Sequence, residues 1–402
     1  MALNGPALHI PSGFVFASAT AGLKQSGQPD LAFAEAQLGA NAAAVFTRNK
    51  VVAAPLLLDR EHLNKTRGRT RAVIVNAGNA NCATGSHGRN AALQVCKELG
   101  RSLSIAPDFV FPSSTGIIGV PLPFEKITAA LPTLVSAARA DQESVMAFAR
   151  AIMTTDTRPK LASTQLKIGR NTFSVLGIAK GSGMIHPNLA TMLVYLFTDI
   201  DASPAVLRRA LADAVDASFN RISVDGDTST NDTVLLLASG RSKCNASDSL
   251  SLKKFSTAVT DICKSLAEQI VTDGEGVRHV IELTVDGART HADADRIART
   301  IGHSQLVKTA WAGADPNWGR ILAAAGRSGV SLTANNVGIW IDKHEVFRRG
   351  IALPFNHDEV HKAMLQPKYP IRVTVGRGPG KSYLLTTDLT TEYVHINADY
   401  ST

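Results

Sequence analysis

Apolar positions along this chain recur with two periods. Spacings of three and four residues mark amphipathic helices, and short continuous apolar runs mark strands covered on both faces. The clearest helical stripe is Leu207, Ala210, Leu211 and Ala214, preceded by Ser203 and Pro204. A cap serine accepts a hydrogen bond from an unpaired N–H of the first turn, and proline pre-sets φ at the first helical position, so a helix is predicted to start there. A second stripe reads Phe255, Val259, Ile262, Leu266 and Ile270, and a third Val145, Phe148, Ala149 and Ile152. Strands are predicted over 72–75, 109–111, 173–178, 192–197, 234–237, 281–285, 338–341 and 371–375. Helices alternating with strands give an α/β or α+β layered architecture, sheet packed on sheet or on helices. From about residue 284 the texture shifts to a strand, a helix-like stretch over 292–301, a glycine-rich segment and paired strands. A domain boundary is expected near residue 283.

Composition narrows the class. At roughly 150 residues per domain, 402 residues correspond to two or three domains. Apolar residues at 45% and charged residues at 19% fit a globular chain and exclude a disordered or collagen-like one. Lysine plus arginine exceeds aspartate plus glutamate by 42 to 34, a net charge of +8. Such an excess invites a nucleic-acid reading, but affinity for phosphates needs clustered charge. Here the basic residues are spread out, the densest being Lys65, Arg67, Arg69 and Arg71, and only 5% of residues are aromatic. The charge reads as solvated surface that favours small anionic substrates, with no nucleic-acid partner expected. The four cysteines, Cys82, Cys96, Cys244 and Cys263, form no C-x-x-C pair, which fits a reducing compartment. No basic segment followed by an apolar core opens the chain, and no apolar run reaches about 18 residues. A cytoplasmic protein without membrane attachment is expected.

Several familiar patterns fail on inspection. His357-Asp-Glu-Val-His361 places two histidines at i, i+4, but Asp358 holds the position where a zincin carries its glutamate. No third ligand is signalled, so no metal site is expected. Gly376-Arg-Gly-Pro-Gly380-Lys381-Ser382 resembles a phosphate loop, but Val375 stands where the first glycine belongs, and a strand-like Tyr383-Leu-Leu follows instead of a helix. A hairpin turn between two strands is expected there.

The segment Ala179-Lys180-Gly181-Ser182-Gly183-Met184-Ile185-His186-Pro187-Asn188-Leu189-Ala190-Thr191 carries more. A strand ends in a glycine-rich loop, and Thr191 opens the next apolar strand. A threonine hydroxyl is a weak nucleophile until a base activates it, and one such base is the threonine's own α-amine, freed by a cut before it. That amine has a pKa of about 7.7–8, close to working pH. From these residues alone, a plain glycine turn explains the segment as well. Thr115-Gly116 follows another apolar strand. Such a pair can offer a hydroxyl and a backbone N–H to one oxyanion, although it is also an ordinary turn.

Residues 180–193, KGSGMIHPNLATML, closely resemble the cleavage-and-nucleophile motif of the glutamate N-acetyltransferase/ornithine acetyltransferase family of arginine biosynthesis. The resemblance runs along the chain through Val45–Asn49, Asn76–Asn81, Ser114–Gly119, Met153–Lys160, Asp225–Thr233, Asp273–Gly276, Leu306–Thr309, Asp315–Arg320 and Tyr393–Tyr400. It implies Thr191 as nucleophile, released by self-cleavage after Ala190, with Thr115 and Gly116 stabilising the oxyanion. It further implies substrate contacts from Thr154, Lys180, Thr191, Glu275, Asn397 and the terminal Thr402. The implied fold is an αββα sandwich of the self-cleaving N-terminal-nucleophile type. Residues 1–190 and 191–283 would build the core, and 284–402 a smaller C-terminal α/β domain. A heterotetramer of two copies of each fragment is also implied. Two positions depart from the family pattern: Leu189 stands where methionine is common, and His395 where arginine or lysine is common.

The implied reaction moves an acetyl group from N-acetylornithine to glutamate through an acetyl-threonine ester. No cofactor is implied, although some members also use acetyl-CoA. A self-cleaving amidase or aminopeptidase shares the logic and would pass the acyl group to water. The charge is also unevenly held: residues 1–190 carry 19 basic and 10 acidic side chains, which suits carboxylate-bearing substrates.

Overall fold

The computed structural model describes residues 7–186 and 192–399. Two open sheets organise the chain. The first holds β1 (Phe14–Ala19), β2 (Leu31–Phe46), β3 (Arg69–Asn79), β4 (Val110–Ile117), β5 (Lys160–Ile168), β6 (Asn171–Lys180), β7 (Leu193–Thr198) and β8 (Thr233–Ala238). Its helices are α1 (Ala54–Lys65), α2 (Gly85–Leu103), α3 (Phe124–Ser136), α4 (Gln142–Ala151), α5 (Pro204–Ala217) and α6 (Ser249–Thr272). The strand order is β4-β3-β2-β8-β7-β6-β5, with β1 paired to β2 outside this path.

The long strand β2 folds this sheet over on itself. Its first half pairs with β1 and β3, and its second half with β8. Between them the register with β3 breaks after Glu35, where Gly39 takes a φ of +85°. An irregularity carrying a glycine bends a strand and raises its twist. The two halves therefore face each other across Phe14, Phe16, Phe148, Tyr195 and Phe197, all buried, with edge-to-face ring contacts at 5.0–6.0 Å. Outside one half lie α2 and α3, packed through Val95, Leu99, Ile127 and Leu131. Outside the other lie α5 and α6, packed through Leu207, Leu211, Val259, Ile262 and Leu266. The result is the expected αββα layering. The Ser203 side chain caps α5 by accepting the Val206 N–H, as its sequence predicts.

The second sheet holds β9 (Val280–Ala288), β10 (Gly338–Ile341), β11 (His344–Arg348), β12 (Ile351–Ala352), β13 (Lys368–Thr374) and β14 (Gly380–Thr387), in the order β12-β11-β10-β13-β9-β14. With it go α7 (His291–Gly302), α8 (Gln305–Ala312), α9 (Trp318–Gly326), α10 (His357–Met364) and α11 (Thr391–Asp399). The glycine segment 376–380 is not a hairpin turn. β13 runs parallel to β9 and β14 antiparallel to it, so β9 lies between the two strands that the segment joins. Gly287 and Gly376 allow this crossing, because a Cβ on Gly287 would lie 2.3 Å from the Gly376 carbonyl oxygen. The segment leads into a strand, so it offers no helix N-terminus to phosphate.

The two sheets are tied where the Ser223 N–H donates to the Leu385 carbonyl at 2.9 Å, and where the Thr387 hydroxyl donates to the Val224 carbonyl at 3.2 Å. His361 lies on α10 and its Nδ1 sits 2.9 Å from the Ala314 carbonyl. Among the described residues, no helix is long and apolar enough to cross a membrane, and no group of three or more His, Cys, Asp or Glu side chains has metal-holding geometry.

Phe197 stands at the centre of the aromatic layer, fully buried against Phe14 and Phe16. Phe197→Ala should cost about 3–5 kcal/mol through lost burial and the cavity left behind. Leu306→Ala, 64% exposed, should change stability by no more than about 0.5 kcal/mol. Denaturant titration of both variants checks the contrast.

Candidate active site

Five segments converge at one end of the first sheet. Thr115 and Gly116 lie at the end of β4, which runs parallel to β3 with Gly116 opposite Gly78. The two backbones approach so closely that a Cβ on Gly116 would lie 2.3 Å from the Gly78 carbonyl carbon, and Gly116 has a φ of +130°. Only glycine fits there. Lys180 ends β6, is 3% exposed, and donates from Nζ to the Thr115 hydroxyl oxygen at 3.3 Å. Burial lowers the Lys180 pKa against the opposing pull of Asp156.

Thr154 follows α4 and donates its N–H to Asp156 Oδ2 at 3.1 Å. Glu275 sits in the turn after α6, its N–H donating to the Ser182 carbonyl at 3.1 Å. Its carboxylate fills the space beside Gly183, where a Cβ would lie 2.4 Å from Glu275 Oε2. Asn397, from α11, donates its Nδ2 to the same oxygen at 2.8 Å. Thr115, Gly116, Thr154, Lys180, Glu275 and Asn397 thus line one cavity of ≈ 80 Å³. Ala190, Thr191 and Thr402 lie outside the described residues.

A buried ion triad holds these segments in place. Lys160 Nζ lies 2.6 Å from Asp156 Oδ1 and 2.6 Å from Asp273 Oδ2, and its side chain has no exposure. Asp156 Oδ1 also accepts the Gly181 N–H at 2.7 Å. Asp273 accepts the Thr157 N–H at 3.1 Å, and its carbonyl accepts the Ser182 hydroxyl at 2.6 Å. One network therefore fixes the Thr154 loop, the end of β6 and the turn that carries Glu275. Burial would raise the Asp156 pKa, but Lys180, Lys160 and the Gly181 N–H outweigh it and hold the carboxyl below its ordinary value.

Further carboxylates anchor the chain on both sides of residues 187–191. Upstream, Asp225 accepts the N–H groups of Met184 at 2.6 Å and Ile185 at 2.9 Å. Burial pushes the Asp225 pKa up to about 6. Met184 has a φ of +53°, an unfavourable region for its side chain that these two bonds help to hold. His186 packs on His303 with ring centroids 4.6 Å apart, and burial drops its pKa to about 4, so it is neutral at pH 7. Downstream, the Met192 N–H donates to Asp232 Oδ1 at 3.1 Å.

Sequence reasoning missed Asp156, Lys160, Asp273, Asn231 and Asp232 as parts of this site. Asn231 braces its floor, donating from Nδ2 to the carbonyls of Ala80 at 2.7 Å and Ser114 at 2.9 Å. All five fall within the motif stretches quoted above. Nothing in their spacing shows that residues more than a hundred positions apart meet.

A family model described as "ArgJ family" matches residues 15–402. The arginine biosynthesis bifunctional protein ArgJ of Nitratidesulfovibrio vulgaris is 44% identical, over 97% of this chain and 98% of that one. Its counterpart in Thermosynechococcus vestitus is 42% identical, over 97% of this chain and 96% of its own. The solved arginine biosynthesis bifunctional protein from Bacillus halodurans is 36% identical, covering 50% of this chain and 96% of that chain with a TM-score of 0.47.

Removing one partner of a buried ion pair leaves an uncompensated charge, at a cost of about 3–5 kcal/mol. Lys160→Met should lose about that much stability at pH 7. The sign with pH follows from Asp156. Its folded pKa is depressed, so its contribution is present above the unfolded pKa of about 3.9 and is lost as pH falls through the folded value. Without Lys160 that carboxyl should titrate higher, and acid unfolding should begin at a higher pH than in the wild type. Far-UV circular dichroism during acid titration reads this shift.

Proposed function

The chain belongs to the ArgJ family, and from that premise we propose that the cavity beside Thr115 transfers an acetyl group from N-acetylornithine to glutamate through a covalent ester on Thr191. The chain is an acyltransferase of arginine biosynthesis. The observation that carries the site assignment is the convergence of Thr115, Gly116, Thr154, Lys180, Glu275 and Asn397 on a single small cavity.

The proposed chemistry follows from those groups. Self-cleavage after Ala190 frees the Thr191 α-amine. The Thr191 hydroxyl attacks the acetyl carbonyl while the α-amine takes its proton. The resulting oxyanion accepts hydrogen bonds from the Gly116 N–H and the Thr115 hydroxyl. Lys180 donates to the Thr115 oxygen, which leaves the Thr115 hydrogen free to point at that oxyanion. The α-amine returns the proton to the leaving nitrogen of ornithine, and glutamate then attacks the ester. Both substrates carry carboxylates, and the buried Lys180 ammonium supplies a point charge for them. Glu275 has one oxygen held by Asn397 and its carboxylate on the cavity wall, placed to receive the ornithine side-chain ammonium. Each step uses groups of this chain and the two substrates.

The proposed assembly is two copies each of residues 1–190 and 191–402, in the cytoplasm. The relatives' name, bifunctional, calls for an assay with acetyl-CoA in place of N-acetylornithine, which reads directly whether a thioester also charges Thr191.

Intact mass should resolve the wild type into two fragments split at 190/191, and Thr191→Ala should remain one chain with no acetylglutamate formed. Thr115→Ala should lower kcat by about 10²–10³ with the cleaved fragments intact. A wild type that stays whole and active, or a product that is free acetate, would sink this reading.

A further inference from the structure

Self-cleavage at Thr191 leaves one proton without a destination. During acetyl transfer the α-amine of Thr191 accepts the hydroxyl proton. Before the cut, that same nitrogen is an amide, its lone pair delocalised into the Ala190 carbonyl, and it is not basic. A different group must act as base in the cleavage step.

Most charged groups at the site are already engaged. Lys160 is shared by Asp156 and Asp273, Lys180 donates to Thr115, and Glu275 accepts from Asn397. Asp225 holds the Met184 and Ile185 N–H groups. Asp232 is different. It immediately precedes β8, has no exposure, and is fixed through its carbonyl, which accepts the Thr47 N–H at 3.0 Å. Its Oδ1 accepts the N–H of Met192, and its Oδ2 has no hydrogen-bond partner among the described residues. Met192 directly follows Thr191 in the chain, so this carboxyl is hydrogen-bonded to the residue next to the proposed nucleophile.

We propose that the Asp232 carboxylate is the general base of self-cleavage, an inference that rests on the assignment of Ala190–Thr191 as the cleaved bond. Asp232 takes the proton of the Thr191 hydroxyl as its oxygen bonds to the Ala190 carbonyl carbon. It returns that proton to the Thr191 nitrogen as the peptide C–N bond breaks. The product is an ester between Ala190 and the Thr191 oxygen, with a free α-amine. Water hydrolyses the ester to the Ala190 carboxylate and the Thr191 hydroxyl, and the α-amine takes the released proton. Burial raises the Asp232 pKa well above the carboxylate range, against the Met192 N–H and the Lys180 ammonium. A carboxyl poised in this way is a better proton acceptor once ionised. The charged group acting on it is Lys180, and of the neighbouring hydroxyls that of Thr47 donates to the Ser229 carbonyl at 2.7 Å.

The test follows the full chain by intact mass after purification. Asp232→Asn keeps an oxygen for the Met192 N–H and removes the base, so cleavage should slow by about 10²-fold or more with an unchanged thermal midpoint. Asp232→Glu should retain slow cleavage that accelerates as pH rises between roughly 5 and 8, while the Asn variant stays flat. Hydroxylamine, which cuts esters but not peptides, should release no fragments from the Asn variant. Wild-type cleavage rates in the folded Asn variant, or fragment release by hydroxylamine, would overturn the proposal. If the Asn variant does not fold, wild-type and pH-independent cleavage of the Glu variant overturns it. Failure of the underlying cleavage assignment looks different, because it leaves the wild type whole or Thr191→Ala cut.

Discussion

Lys160 is the constraint on which the site's geometry depends. Its ammonium lies 2.6 Å from two buried carboxylates that belong to distant parts of the chain. Taking three charges out of water costs several kcal/mol per ion, and the cost is recovered only if geometry is good and the remaining lone pairs find donors. Here they do, through the N–H groups of Thr154, Thr157 and Gly181, with Arg158 approaching Asp273 from solvent at 3.8 Å. Those donors are the backbone of the loops that carry the site. Satisfying the ions and placing the loops are therefore one event.

The charge balance of the cavity follows from the same network. Asp156 and Asp273 are met by Lys160, and the remaining negative charge is met by Lys180 acting on Asp156. Glu275 is left with a neutral partner, the Asn397 amide. The cavity thus presents one ammonium and one carboxylate to a ligand, a pattern that suits an amino acid bearing both charges. Size is set by backbone rather than by bulky side chains. Gly116 lies against Gly78, and Gly183 lies against the Glu275 carboxylate, so any side chain at either glycine would displace a wall of the site.

Much of the layered fold was legible because burial leaves a periodic trace. The stripes on α4, α5 and α6 and the apolar runs of β6, β7 and β8 are the buried faces themselves. β2 left no such trace, since its sequence, LAFAEAQLGANAAAVF, is largely alanine and polar residues, and it is the strand that bends the sheet. The supposed hairpin at 376–380 shows a second limit. A glycine turn announces that the chain reverses but not whether a third strand, here β9, slots between. At the site, the sequence offered Thr115, Gly116, Lys180 and Glu275 through resemblance. It could not offer Asp232, whose meaning comes from a bond to Met192, 40 positions away.

The strand order bears on what a cut between 190 and 191 would do. β7 and β8 come from residues after the cut, yet they lie between β2 and β6, which come before it. β6 and β7 pair antiparallel from Lys180 opposite Leu193 to Val175 opposite Thr198, and β8 pairs with β2 from Thr233 opposite Phe46 to Ala238 opposite Asn41. Severing the connection between β6 and β7 breaks none of these ladder bonds. Separating the fragments would break both ladders and expose the aromatic layer shared by Phe14, Phe16 and Phe197. Cleavage can therefore free a terminal amine without freeing a fragment, because the new terminus stays held by a sheet whose two edges of contact belong to the other piece.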